Sequence, residues 1–137
     1  MKTIRDVMTA GPTTVGASTP IADAARLMKS EDIGSLPILE DGKLAGVLTD
    51  RDIVLRVVAE GRDPQSTTAG EVGSHDPVTV DPQQNLDEAL RLMAEHQVRR
   101  LPVVEEDGRL VGVLAQADVA REASPEQTGH VVEEISE

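Results

Sequence analysis

The densest concentration of functional side chains is Thr49-Asp50-Arg51-Asp52, immediately ahead of the apolar run Ile53-Val54-Leu55. A threonine three residues before an acid at such a place has the form of a capping box, each side chain satisfying a backbone N–H of a nascent helix. The same hydroxyl, carboxylate and free N–H groups also offer a place to hold a polar, anionic ligand. Both readings stand together. Asp118 follows Ala115, where a threonine would be needed to repeat the pattern. Alanine caps poorly, so a capping box does not account for Asp118. Arg99-Arg100 is the most conspicuous basic pair in an acidic chain. It adjoins Leu101-Pro102 in a predicted strand, where neighbouring side chains face opposite ways. The planar fork of arginine suits phosphate; the alternative is ion pairing with an acidic surface, worth little when exposed. Arg51 is a further candidate phosphate contact.

Other chemistries find no support. The 137 residues contain no Cys, Phe, Trp or Tyr. Thiolate nucleophiles, disulfides and cysteine-ligated zinc are thereby excluded, as is stacking of bases on aromatic rings. His75, His96 and His130 lie far apart and show no metal-ligand spacing; they read as helix-end or surface residues. No Ser-His-Asp set, Gly-rich phosphate loop or distinctive carboxylate pair is evident, so the expectation is a protein that is not an enzyme and carries no metal or cofactor. With 13 Lys and Arg against 25 Asp and Glu, the formal charge is -12, which opposes nucleic-acid binding. The N-terminal residues show no apolar run after their basic residues, and no stretch approaches the ~18 apolar residues of a membrane span. A soluble, cytoplasmic protein away from membranes is expected.

An internal repeat must position these residues. A shift of 65 places Thr14-Val15 on Thr79-Val80, Arg26-Leu27-Met28 on Arg91-Leu92-Met93, and Leu36-Pro37 on Leu101-Pro102. One inserted residue near Glu106 raises the shift to 66, and Asp41-Gly42, Gly46-Val47-Leu48 and Asp52 fall on Asp107-Gly108, Gly112-Val113-Leu114 and Asp118. Each copy opens with a short strand, Pro12 to Val15 and Pro77 to Val80. A helix follows, capped by Thr19 in copy one and by a box of Asn85 and Glu88 in copy two. Hairpins follow, turning at Asp41-Gly42 and Asp107-Gly108. Closing helices run from Asp52 to Glu60 before Gly61, and from Asp118 to about Glu122. The apolar runs around Leu36 and Val47 predict strands covered on both faces. Met8, Met28 and Met93 read as core or interface filler. Two copies of about 60 residues would share one core. The predicted organisation is 3–60, a connecting loop at 61–70, then 71–122, with an acidic tail at 123–137 that forms a short amphipathic helix or a frayed end.

The stretches Gly34-Ser35-Leu36-Pro37-Ile38 to Gly46-Val47-Leu48-Thr49-Asp50-Arg51-Asp52-Ile53, and Val98-Arg99-Arg100-Leu101-Pro102-Val103-Val104 to Gly112-Val113-Leu114-Ala115-Gln116-Ala117-Asp118-Val119, resemble a pair of CBS domains, also called a Bateman module. The resemblance spans roughly residues 3 to 122. It implies an α/β (α+β) fold: two pseudo-twofold-related β-α-β-β-α repeats packed into one module. It also implies a regulatory protein that senses AMP, ADP, ATP, S-adenosylmethionine or a related adenosyl compound in clefts between the repeats, and that commonly forms a homodimer through its helices. In that family a Ser/Thr-x-x-Asp motif holds the ribose; Thr49 to Asp52 matches it completely, while Ala115 breaks it in copy two. By resemblance, one cleft would use Asp118 and Arg100 with Thr14, Ile33 and Gly34. The other would use Thr49 and Asp52 with Thr79, Val98 and Arg99. Without aromatic residues, aliphatic side chains such as Ile33 and Val98 would have to sandwich a purine. The rival expectation is an interaction or scaffold protein that keeps the fold and binds no nucleotide. In either case the target is a separate protein that the sequence does not name.

Overall fold

The computed structural model describes residues 2–122; the acidic tail and His130 lie outside them. It is a mixed α/β structure with two sheets, divided into two compact units. One consists of residues 13–77, and the other of residues 2–12 with 78–122.

In the contiguous unit, β2 (Val15–Gly16) leads to helix α2 (Ile21–Glu31), followed by β3 (Ser35–Glu40) and β4 (Lys43–Thr49). Helix α3 (Asp50–Ile53) runs directly into a π turn (Val54–Val58), and the unit ends with α4 (Ala69–Val72) and β5 (Ser74–His75). Its four strands lie in the order β2-β3-β4-β5, with β2 parallel to β3 and the other pairs antiparallel. The second unit combines α1 (Ile4–Val7) and β1 (Thr9–Ala10) with α5 (Leu86–His96), β6 (Arg100–Val104), β7 (Leu110–Ala115) and α6 (Gln116–Glu122). Its strand order is β1-β7-β6. A parallel bridge from Val80 to Val103 replaces a fourth strand. The opening strands expected at Pro12 and Pro77 therefore shrink to Val15–Gly16 and to that bridge.

The hairpins form where Asp-Gly indicates. Asp41 and Gly42 both take positive φ, 53° and 78°, which a two-residue turn matched to strand twist requires. Leu36, Pro37 and Ile38 are buried in succession, as are Leu101, Pro102 and Val103, so β3 and β6 are covered on both faces as their apolar runs predict. Met28 and Met93 are buried, and Met8 packs against the same core as Met93.

Several local expectations change. The N-cap of α2 is Pro20, not Thr19. The Thr19 hydroxyl instead accepts from the Gly16 N–H at 3.0 Å. Carbonyls of Thr67 and Pro64 receive the Ile21 and Ala22 N–H groups at 2.8 and 3.0 Å, so the 61–70 segment closes onto α2, and its last two residues begin α4. Asn85 does cap α5, accepting from Glu88 N–H at 3.0 Å, but the Glu88 carboxylate turns to Arg91 instead of completing a box. The closing helices start two residues earlier than expected, at Asp50 and Gln116. His75, expected in a loop, sits in β5 opposite Gly46.

Each unit has a hydrophobic core of its own. Ile21, Ala24, Leu36, Ile38, Leu48, Val57 and Val72 belong to one; Ile4, Leu90, Met93, Leu101, Leu114 and Val119 belong to the other. Ile4 is completely buried among residues of the second copy, because α1 and β1, from the start of the chain, complete that unit. β1 pairs with β7, Thr9 opposite Val113. In the same way α4 and β5 follow the first closing helix and complete the first unit, Val47 opposite Ser74.

Candidate ligand-binding site

Thr49 ends β4, and its extended backbone turns into α3. The capping box is complete: the Thr49 hydroxyl accepts from the Asp52 N–H at 3.0 Å, and Asp52 Oδ2 accepts from the Thr49 N–H at 3.0 Å. The capping reading of this motif is therefore satisfied in full. Asp52 is half-buried, and its Oδ1 accepts no hydrogen bond from the described residues. One oxygen holds the helix and the other is open to a further donor.

Gly34 lies beside this turn. Its carbonyl accepts from the Asp50 N–H at 2.9 Å, and Ser35 pairs with Thr49 across the hairpin. The approach is close: a Cβ on Gly34 would lie 2.8 Å from Asp50 Oδ2. Asp50 Oδ1 accepts from the Arg51 N–H at 2.8 Å, while the Arg51 guanidinium is exposed and unpaired among the described residues.

The second unit repeats the arrangement with different side chains. The Arg99 carbonyl accepts from Gln116 N–H at 2.7 Å, and Arg100 is opposite Ala115. Arg99-Arg100 therefore flanks the start of α6 as Gly34-Ser35 flanks the start of α3. Both arginines are exposed, and neither forms an ion pair with a described residue, so the surface-pairing alternative is not realised there. Asp118 has a partner that spacing could have revealed: its Oδ1 pairs with Arg121, one turn on in α6.

Ile33 and Val98 occupy matching places. Asp32 and Gln97 end α2 and α5 in the left-handed conformation, each with φ of 54°. The next amides, of Ile33 and Val98, bond back to the Met28 and Met93 carbonyls at 3.0 Å in both cases. This is the Schellman closure, whose apolar following residue packs onto the helix. Ile33 and Val98 are accordingly half-buried against the cores of their own units. Thr14 and Thr79 are half-buried just ahead of Val15 and Val80. Thr14 also lines a groove of about 500 Å³ with Val15, Gly16, Thr19, Asp23, Arg26, Leu27 and Ser30.

Thr14, Ile33, Gly34, Thr49, Arg51 and Asp52 thus belong to one unit, and Thr79, Val98, Arg99, Arg100 and Asp118 to the other. Among the described residues, no group of three or more His, Asp or Glu side chains could hold a metal ion, and no helix is long and apolar enough to cross a membrane.

Comparison with known proteins matches the CBS domain family twice, at residues 4–59 and 69–124. The chain is 48% identical over 122 residues to hypoxic response protein 1 of Mycobacterium tuberculosis, covering 88% of this chain and 85% of that protein. It is 44% identical over 137 residues to the CBS domain-containing protein YhcV of Bacillus subtilis, covering 99% and 96%. Among solved structures it is similar to hypoxic response protein I with two coordinated zinc ions, with TM-score 0.81, 47% identity and coverage of 90% and 100%. It is also similar to CBSX2 in complex with AMP, with TM-score 0.77, 30% identity and coverage of 89% and 96%. With both copies matched, relatives of this identity along most of the length, and the same fold in solved structures, this chain belongs to the CBS domain family and carries two CBS domains in tandem.

Proposed function

We propose that this protein is a non-enzymatic, cytoplasmic regulator that senses an adenine nucleotide or a related adenosyl compound, with Asp52 as the principal ribose contact. The observation that carries this reading is the half-used Asp52 carboxylate, ordered by Thr49 yet with Oδ1 open. A carboxylate fixed in this way can receive both hydroxyls of a ribose. Arg51, Arg99 and Arg100 supply exposed guanidinium groups for phosphate. Support also comes from related CBS-pair structures, CBSX2 with AMP and the CBS pair of MJ0100 with 5-methylthioadenosine and S-adenosyl-L-methionine. The clefts would lie between the copies, Thr49 and Asp52 acting with Thr79, Val98 and Arg99, and Asp118 with Arg100, Thr14, Ile33 and Gly34. Domain limits of 3–60 and 71–122 belong to the same reading.

Asp52→Ala and Asp118→Ala each remove charge-assisted bonds worth ~1.5–3 kcal/mol, about tenfold or more in affinity. Calorimetry with AMP and ATP tests this; unchanged binding in both variants overturns the site assignment.

The second reading, an interaction protein without a nucleotide, has its own observation: the complete capping box accounts for Thr49 and Asp52 with no ligand. Absence of heat with AMP, ADP, ATP and S-adenosylmethionine would establish it. Under either reading the protein acts as a homodimer. Val54, Leu55 and Val58 are 56%, 46% and 69% exposed, an apolar surface typical of an interface. Sedimentation of Val58→Asp, with a monomer expected, checks this.

A further inference from the structure

We infer that the π turn Val54–Val58 relays ligand occupancy at Asp52 to the apolar surface of the closing helix. This inference rests on the reading of Asp52 as a ligand contact. π-Helical residues are rare, and single π turns inside helices concentrate at functional sites. Here the turn is held from both sides. Ahead of it, the Thr49–Asp52 box fixes where the helix begins. Behind it, Gly61, with φ of 67°, closes a Schellman motif: Arg62 N–H reaches Val57 O at 2.9 Å and Gly61 N–H reaches Val58 O at 3.1 Å. Val57, 1% exposed, plugs into the core, and the Arg56 guanidinium donates to Val72 O at 2.9 Å. Between these two anchors the chain carries one residue more than an α-helix accommodates. The Ala59 N–H therefore reaches back five residues, to Val54 O at 2.9 Å.

The large hydrophobic residues exposed among the described residues, Val54, Leu55 and Val58, all belong to this one turn. The second copy gives an internal comparison. There Ala115 replaces Thr49, the box is missing, and α6 is α-helical over its described length. The cap thus occurs in one copy and not in the other, and the positions matching Val57 and Val58 lie outside the described residues.

The coupling follows from Asp52 serving two donors. A ribose presents two neighbouring hydroxyls: one can donate to the open Oδ1, while the other reaches Oδ2 and competes with the Thr49 N–H that it now accepts. A weakened cap releases the leading anchor, and the surplus residue can then migrate along the helix. Val54 and Leu55 thereby rotate relative to the fixed Val57. A ligand shifts this balance only by binding the released form more tightly.

Amide exchange in the full chain tests the relay at Val58 and Ala59, which lie beyond the capping residues. Thr49→Ala without ligand should speed both amides about fivefold, the scale of a lost cap. Thr49→Ser should exchange like the parent, and Val119 in α6 should not respond. AMP, with binding followed by calorimetry, should speed Val58 and Ala59 in the parent. Unchanged exchange in Thr49→Ala overturns the relay. AMP binding that leaves both amides unchanged overturns the relay while the site reading stands. No binding of AMP, ADP, ATP or S-adenosylmethionine overturns both.

Discussion

Gly46 and Gly112 occupy corresponding places in the two hairpins, and both face an edge strand at very short range. A Cβ on Gly46 would sit 2.3 Å from the Ser74 carbonyl oxygen, and one on Gly112 would sit 2.9 Å from that of Thr9. A backbone oxygen in a paired strand cannot step aside without breaking the pairing. Gly46→Ala should therefore cost ~1–3 kcal/mol, in the range of other overpacked substitutions. Gly34→Ala meets a different neighbour, the carboxylate end of exposed Asp50 at 2.8 Å, which can swing into solvent. Its cost should stay within about 0.5 kcal/mol. Urea unfolding of the two variants separates them; equal losses would contradict this account.

The two short leading helices show how a small element is anchored. Asp6 Oδ2 accepts from the Thr3 N–H at 2.9 Å, and this bond, with the Thr3 hydroxyl, holds the Asp6 carboxyl below its ordinary value of 3.8. A depressed carboxyl stabilises the fold fully above that value and loses the contribution as pH falls through the folded-state value. Parent and Asp6→Ala should differ in stability at neutral pH, and the gap should narrow below about pH 4. At the start of α4 the Thr68 hydroxyl donates to Glu71 Oε1 at 3.1 Å and accepts from the Glu71 N–H at 3.4 Å. Thr3-Ile4-Arg5-Asp6-Val7 aligns with Thr68-Ala69-Gly70-Glu71-Val72 at the same shift of 65, so both helices had a signal in the sequence, one that a repeat traced only from Thr14 onward misses. Where the deciding bond is local, as at Asp41-Gly42 or Asn85, the element is legible. At α2 it is not, because the carbonyls that complete its N-terminus belong to Pro64 and Thr67, more than forty residues away. The π turn is equally hidden, since the run Ile53-Val54-Leu55 carries no period. At the site, Thr49 and Asp52 could be read from the motif, but the Asp118–Arg121 pair and the exposed, unpaired state of Arg99 and Arg100 required side-chain positions.

At the scale of the molecule, the complete lack of Trp, Tyr and Cys makes ligand occupancy directly measurable. The pure protein should barely absorb at about 280 nm, so a co-purified purine would stand out near 260 nm; a blank spectrum excludes one held tightly. The exchange of leading segments also has a temporal consequence. All of the 13–77 unit is one continuous stretch. The other unit must join pieces from opposite ends of the chain, with Arg5 bound to Glu105 and Lys2 to Glu122 across separations of 100 and 120 residues. Closing so large a loop is slow and entropically costly. During synthesis the first unit can be complete while residues 2–12 still wait for a partner. Pulse-labelled exchange during refolding should accordingly show Leu48 and Val57 protected before Ile4 and Leu114, and simultaneous protection would contradict that order. Residues 2–12, made before the 13–77 unit, are thus among the last to find their place.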